Sequence, residues 1–378
     1  MPDVLIYADT NRSPEMRHEV PIAIPDPFLY VERDGARHVV LTSFEIDRVL
    51  AFPGAPTPHA YEEFGYDDLI GQGLSRDEVY VEVAVNACAA LGVTEAAVPW
   101  TFPAHFADRL REAGVAIIPD LELFQDRRRV KNEAQLAGIR RAQRAAEAGM
   151  DAARQLLRRA EPNGAGLVVD GTPLTSERIK AAIMEVFVSR GVVADEFIVA
   201  PGPQSAVGHE MGSGPIVEGQ PIVIDLWPKD IETACYADMT RTYVVGDAPE
   251  EIRRYHTLCK EALDRSLDAI GPGRAGADVF RLVCDLFHEA GQPTQLSKEP
   301  GEVLADGFYH GLGHGVGLEV HEAPSLGRAP GTMVAGDVVT LEPGLYRHGY
   351  GGVRLEDLVL VTENGAENLT DYPYELEP

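Results

Sequence analysis

The chain has 378 residues, 45% hydrophobic, and its 60 acidic residues outnumber 33 basic ones for a formal net charge of -27. That length suffices for two domains with ample core, and that charge argues against nucleic acid and anionic membranes as partners. No apolar run reaches membrane-spanning length.

The N-terminal Met-Pro-Asp-Val-Leu-Ile-Tyr lacks the cationic segment and cleavage signal of a secretory leader. Residues 1–125 mix short apolar runs at 4–7, 28–31, 38–41, 79–83, 96–99 and 115–118, read as strands, with a helical stretch at 106–113. Strands alternating with helices predict a small α/β domain. It carries no chemical motif, and its histidines His18, His38, His59 and His105 are isolated. Four scattered cysteines, Cys88, Cys235, Cys259 and Cys284, lack disulfide or metal spacing and suit a reducing, cytoplasmic compartment.

A second domain is expected over 126–378. The basic run 127–131 opens a long helix with Leu136, Ile139, Ala142, Ala146, Met150, Ala153 and Leu157 at helical spacing. In so acidic a chain the run reads as a helix start or a salt-bridge patch between domains rather than a phosphate site. A second helix follows at 177–189, and the arrangement repeats at 251–270 and 277–290, each helix closing at glycine. Two helix pairs, each feeding β-strands, predict an α+β fold with a curved antiparallel sheet and pseudo-two-fold symmetry.

Between Tyr309 and Pro324 the chain reads Y-H-G-L-G-H-G-V-G-L-E-V-H-E-A-P and holds His310, His314 and His321, three of its eleven histidines. Glycines beside His314 let the backbone approach a ligand closely, and histidine serves as metal ligand and proton shuttle. The segment is read as an active-site strand. Acids complete the set. Asp225 ends the apolar run P-I-V-I-D-L, and Asp238 enters Y-A-D-M-T-R-T-Y-V-V. Glu342 ends V-V-T-L-E ahead of a Pro-Gly turn, and G-G-V-R-L-E-D places Arg354 and Glu356 on one strand face. A lone carboxylate in an apolar strand costs several kcal/mol unless paired or metal-bound, so four such strands call for one shared cation site. Two Asp, one His and two Glu are too hard for structural zinc and too nitrogen-containing for a calcium cage. Four carboxylates able to bridge suit two divalent ions about 3.5–4 Å apart. Manganese, cobalt, iron(II) or zinc would all be accepted, which points to metal-assisted hydrolysis.

At these residues the chain resembles the pita-bread metallopeptidases, the family of Xaa-Pro dipeptidase (prolidase), aminopeptidase P and methionine aminopeptidase. The order Asp225, Asp238, His314, Glu342, Glu356 matches that family's five ligands, and the surrounding motifs cover roughly the C-terminal two-thirds of the chain. The resemblance implies a pita-bread catalytic domain at 126–378 behind a creatinase-type α/β domain. By it, Asp225 holds one of two ions, preferably Mn²⁺, Asp238 and Glu356 bridge both, and His314 with Glu342 holds the other. Glu342 would also move protons. His310 and His321 would act on the tetrahedral intermediate and the substrate carbonyl, His209 would contact substrate, and Arg354 would orient a ligand carboxylate or bind the substrate's. The implied activity is hydrolysis of an N-terminal Xaa-Pro bond in small peptides by a homodimer. A metal-free creatinase-like amidinohydrolase and a non-enzymatic peptide-binding module are the alternatives, both disfavoured by the intact ligand set. One departure stands out: Asp225 and Asp238 lie thirteen positions apart where the family usually has eleven, with Trp227 in between. Two extra residues preserve the strand period, and 228–230 is the expected turn.

Overall fold

A computed structural model describes residues 2–164 and 166–378. The chain divides into two compact units, Met1–Arg128 and Arg129–Pro378, at the end of the helix Leu121–Arg129.

The first unit is built on a six-stranded mixed sheet. Its strands run in the order Thr57–Ala60, Ala36–Leu41, Phe28–Arg33, Asp3–Ala8, Glu95–Val98 and Ala116–Pro119. Alternation along Asp3–Ala8 sends Leu5 into one buried cluster with Val31 and Val40, and Val4 with Ile6 into another with Tyr30 and Val39. Residues 79–83, expected as a strand, lie instead inside the helix Arg76–Leu91. The valine-rich V-Y-V-E-V mimics strand alternation, but the ends decide against it. Ser75 and Glu78 form a reciprocal capping box, and Gly92 closes the helix with φ 74°. Val79, Val83, Ala84 and Ala87 then pack against the sheet.

In the second unit the helix Glu133–Arg158 is capped by Asn132, so the basic run precedes it rather than opening it. Arg127 and Arg129 fall in the preceding helix, and Arg127 pairs with Glu19 and Glu32. Arg129 pairs with Asp337 at 2.7 Å, and Lys131 with Glu322 at 2.5 Å. Glu133–Arg158 packs on Ser176–Ser189 through Ile139, Ala146, Ile183 and Phe187. The second helix pair, Glu250–Ala269 and Gly276–Glu289, buries Tyr255, Leu263, Phe280 and Phe287 in its own cluster. Each fully buried side chain of this size contributes about 1.5–3 kcal/mol. All strand pairings in this unit's named sheets are antiparallel. The strand Pro221–Leu226 lies between Ile198–Pro201 and Met239–Val244. A five-stranded sheet runs Glu322–Leu326, Gly313–Gly315, Val338–Leu341, Asp357–Thr362 and Gly365–Asn368. Among the described residues no helix is long and apolar enough to cross a membrane.

Candidate metal centre and active site

Register places the first acids. Ile198 pairs with Asp225, and Asp225 with Thr240, so the three stand side by side across one sheet. Asp238 comes just before the strand Met239–Val244, one period from Thr240 and on the same face. The two extra residues are absorbed beyond this point, yet not at 228–230. Lys229–Asp230 is itself extended against Val192–Val193, and the turn falls at 231–234, where Ala234 takes φ 62°. Asp230 accepts from the backbone and side chain of Thr233 and from Arg141, which fixes the loop end.

The histidine segment is not one strand. Gly313–Gly315 pairs with Glu322–Leu326 through a register shift at His314/Gly315, and His310 and His321 flank these short strands in irregular backbone. Crowding explains the glycines: a Cβ on Gly313 would collide with the carbonyl of Thr340, and one on Gly315 with that of Ala323. Glu342 follows directly on Val338–Leu341. The strand Gly351–Arg354 stops at Arg354, leaving Glu356 in the break before Asp357–Thr362. The two side chains still converge on Thr240. Its hydroxyl donates to Glu356 Oε2 at 2.7 Å and accepts from Arg354 Nε at 3.2 Å.

Asp225, Asp238, His310, His314, His321, Glu342, Arg354 and Glu356 line one cavity of about 850 Å³, together with His209, Tyr309, Trp227 and Glu196. Asp238, His314 and Glu356 bring ligand atoms within 4.8 Å of one another. Glu342 Oε1 is 3.7 Å and Asp238 Oδ2 3.8 Å from His314 Nε2. Asp225 Oδ2 accepts from Arg354 Nη2 at 2.5 Å. His314 Nδ1 lies 3.1 Å from the Gly315 carbonyl. A carbonyl only accepts, so Nδ1 carries the proton and Nε2 turns a lone pair to the acids, the tautomer a metal ligand needs. His310 is bound at both nitrogens, Nδ1 to the Gly311 carbonyl at 2.7 Å and Nε2 to the Tyr346 hydroxyl at 2.9 Å. His321, its ring tilted 57° to that of His314 at 4.1 Å between centroids, has no hydrogen-bond partner among the described residues.

The electrostatics describe an acid-rich site. Burial, then the charges of Glu356 and Asp225, pushes the Asp238 carboxyl far above its usual range. Burial raises Glu342 to about 8 against the pull of Arg354, and Glu356 is raised by burial, Asp225 and Glu342. Burial lowers His310 and His314 to about 3, so both rings are neutral at physiological pH. Asp225 Oδ1 and Asp238 Oδ1 are buried without a hydrogen-bond partner, a costly state for carboxylate oxygens. Four carboxylates face a single guanidinium, and an imidazole lone pair points among them. That donor set fits divalent cations.

Two residues escaped the sequence reading. Tyr346 accepts from Arg354 Nη1 at 3.1 Å and donates to His310, linking Asp225, Arg354, Tyr346 and His310 in one chain of hydrogen bonds. Thr240 joins Glu356 to Arg354. Thr240 lies two positions after Asp238 and Tyr346 four after Glu342, and that proximity was the only available signal.

Residues 137–363 match the model of metallopeptidase family M24. The chain is 38% identical over 185 residues to the Xaa-Pro dipeptidase of Pyrococcus furiosus, covering 48% of this chain and 49% of that one. It is 33% identical over 205 residues to the probable dipeptidase PepE of Mycobacterium tuberculosis, covering 53% and 51%. The chain thus spans about half the length of these curated relatives. Over the whole chain it resembles the crystal structure of the prolidase from Pyrococcus horikoshii OT3, with TM-score 0.77, 24% identity, and coverage of 100% and 95%. That likeness bears out the α+β pita-bread fold.

Proposed function

Because the chain belongs to metallopeptidase family M24, we propose that it hydrolyses the N-terminal Xaa-Pro bond of small peptides, with two divalent ions held by Asp225, Asp238, His314, Glu342 and Glu356. The carrying observation is the convergence of four carboxylates and the His314 lone pair on one buried cavity, with Asp225 Oδ1 and Asp238 Oδ1 unpaired. Mn²⁺ is the first choice, with Co²⁺, Fe²⁺ and Zn²⁺ compatible with the same donors. Such ions, when bound, acidify water and polarise a carbonyl.

The chain's own residues do the rest. Thr240 and Arg354 hold Glu356 and Asp225 in place. Glu342, 3.7 Å from His314 Nε2, is placed to take a proton and return it to the proline nitrogen, which is a tertiary amide and a poor leaving group until protonated. His321, free of other hydrogen bonds and beside His314, is the group for the substrate carbonyl, and His209 at the mouth contacts the peptide. His310 contributes through its position. Both its nitrogens are engaged, so it stiffens the wall beside Glu342, 3.8 Å away. Arg354 is turned to Asp225, Thr240 and Tyr346, which favours its orienting role over capture of a substrate carboxylate. Residues 1–125 would form a creatinase-type domain, and the active form would be a cytoplasmic homodimer.

Turnover of Ala-Pro, Ala-Pro-Ala and Ala-Ala by Mn²⁺- and Co²⁺-loaded protein tests the reading. Cleavage of Ala-Pro well above Ala-Ala is expected. Equal rates refute proline specificity, and faster cleavage of the tripeptide moves the activity to an aminopeptidase. Glu356→Ala should lose both metal and activity, and full metal content in that variant by elemental analysis refutes the ligand set.

A further inference from the structure

The cavity lining carries a carboxylate that the proposed hydrolysis does not use. Glu196 lines the cavity with Ile198, Met211 and Trp227. It is exposed and has no hydrogen-bond or ion-pair partner among the described residues. Ile198 pairs with Asp225, and Glu196 lies two positions before the one and Trp227 two positions after the other, just beyond the paired stretch. Glu196, Ile198, Met211 and Trp227 thus form one row of the lining, in the same cavity as Asp225 and Asp238. Ile198 and Met211 pack with Trp227 in a small apolar cluster.

Resting on the Xaa-Pro reading, we infer that this row is a side-chain subsite selecting lysine or arginine as the residue before proline. The free ammonium of an N-terminal residue is drawn to the acids of the cavity. Its side chain then extends along that row. A long basic side chain suits every element there. Its methylenes cover Ile198 and Met211, its cation faces the Trp227 ring, and its charge meets the otherwise unpaired Glu196. Lys180, in the depression adjoining Glu196, donates its ammonium to the Gly212 carbonyl. The strongly acidic surface also favours encounter with cationic peptides.

The test compares kcat/KM for Lys-Pro with its uncharged analogue norleucine-Pro on the metal-loaded enzyme. Preference for Lys-Pro on the order of tenfold is expected from one exposed ion pair plus a cation–π contact, and it shrinks as salt is raised. E196Q should bring the ratio near one, and E196K should place norleucine-Pro and Glu-Pro above Lys-Pro. The same order is expected for binding of Lys-Pro and norleucine-Pro to chelator-treated protein, read from tryptophan fluorescence, Trp227 being one of only two tryptophans. Equal kcat/KM for both peptides in the native enzyme overturns the inference alone, as does an E196K variant that keeps the native ratio. Failure to cleave any Xaa-Pro peptide overturns the underlying reading, and the inference with it.

Discussion

Tyr346 connects Arg354 and His310 at the proposed active site, since its oxygen accepts from Arg354 and its proton goes to His310. Removing the hydroxyl strands a donor on Arg354, which is only 4% exposed, and an acceptor on His310. Unsatisfied buried groups of this kind cost about 1–3 kcal/mol. Tyr346→Phe should therefore lower stability to chemical denaturant by that amount and kcat/KM for Ala-Pro by roughly tenfold, with metal content retained. Unchanged unfolding and unchanged kinetics would show the link to be idle. His321 differs because nothing else holds it. His321→Ala should reduce kcat/KM by about 10²–10⁴ while leaving stability and metal content near native. Loss of metal in that variant would make His321 a ligand.

At the scale of elements, the short strand Gly313–Gly315 brings His314 to the acids only because its glycines let it sit against neighbouring backbone. Gly313→Ala adds a methyl that meets the Thr340 carbonyl, and backbone cannot give way as a flexible side chain could. Overpacking of this sort costs about 1–3 kcal/mol or more. The variant should melt several degrees lower and bind Mn²⁺ more weakly, checked by calorimetry. Native affinity would mean the strand has room to shift. The long hairpin between Asp225 and Asp238 is clamped by Asp230. Burial raises its carboxyl, but bonds from Arg141 and Thr233 outweigh burial and hold it below its ordinary range. A lowered folded pKa gives stability that is present above the unfolded value of roughly 3.9 and lost as pH falls through the folded one. Arg141 is 37% exposed, so screening limits the pair to about 1 kcal/mol. Asp230→Asn should cost that much at neutral pH and progressively less in acid. A deficit independent of pH would assign it to packing instead.

For the whole molecule, crowded carboxylates in the second unit oppose folding until cations reach them. Ligands that bind only the native state stabilise it by mass action, roughly 2.7 kcal/mol per site at a hundredfold excess over Kd. Chelator-treated protein should melt lower than Mn²⁺-loaded protein, and the increment should vanish in Glu356→Ala. An increment that survives in that variant would place the stabilising ion elsewhere. Light scattering at micromolar concentration should give the mass of a two-fold dimer.

The amino-acid sequence by itself pointed to the candidate donors and determined the helix pairs, because both are written in local patterns. An acid inside an apolar strand, a histidine between glycines, and apolar residues at helical spacing each carry their physical reason within a few positions. Local pattern failed where neighbours in space decide. V-Y-V-E-V alternates like a strand, yet Ser75, Glu78 and Gly92 cap it as a helix. The Asp225–Asp238 turn moved to 231–234 because Lys229–Asp230 found a strand partner in Val192–Val193. Only the tertiary structure joined Thr240 to Glu356, 116 positions away, and Arg354 to Asp225, 129 away. Such pairs form because burial leaves each polar group no water to turn to, and the partner it meets is set by how the sheets pack.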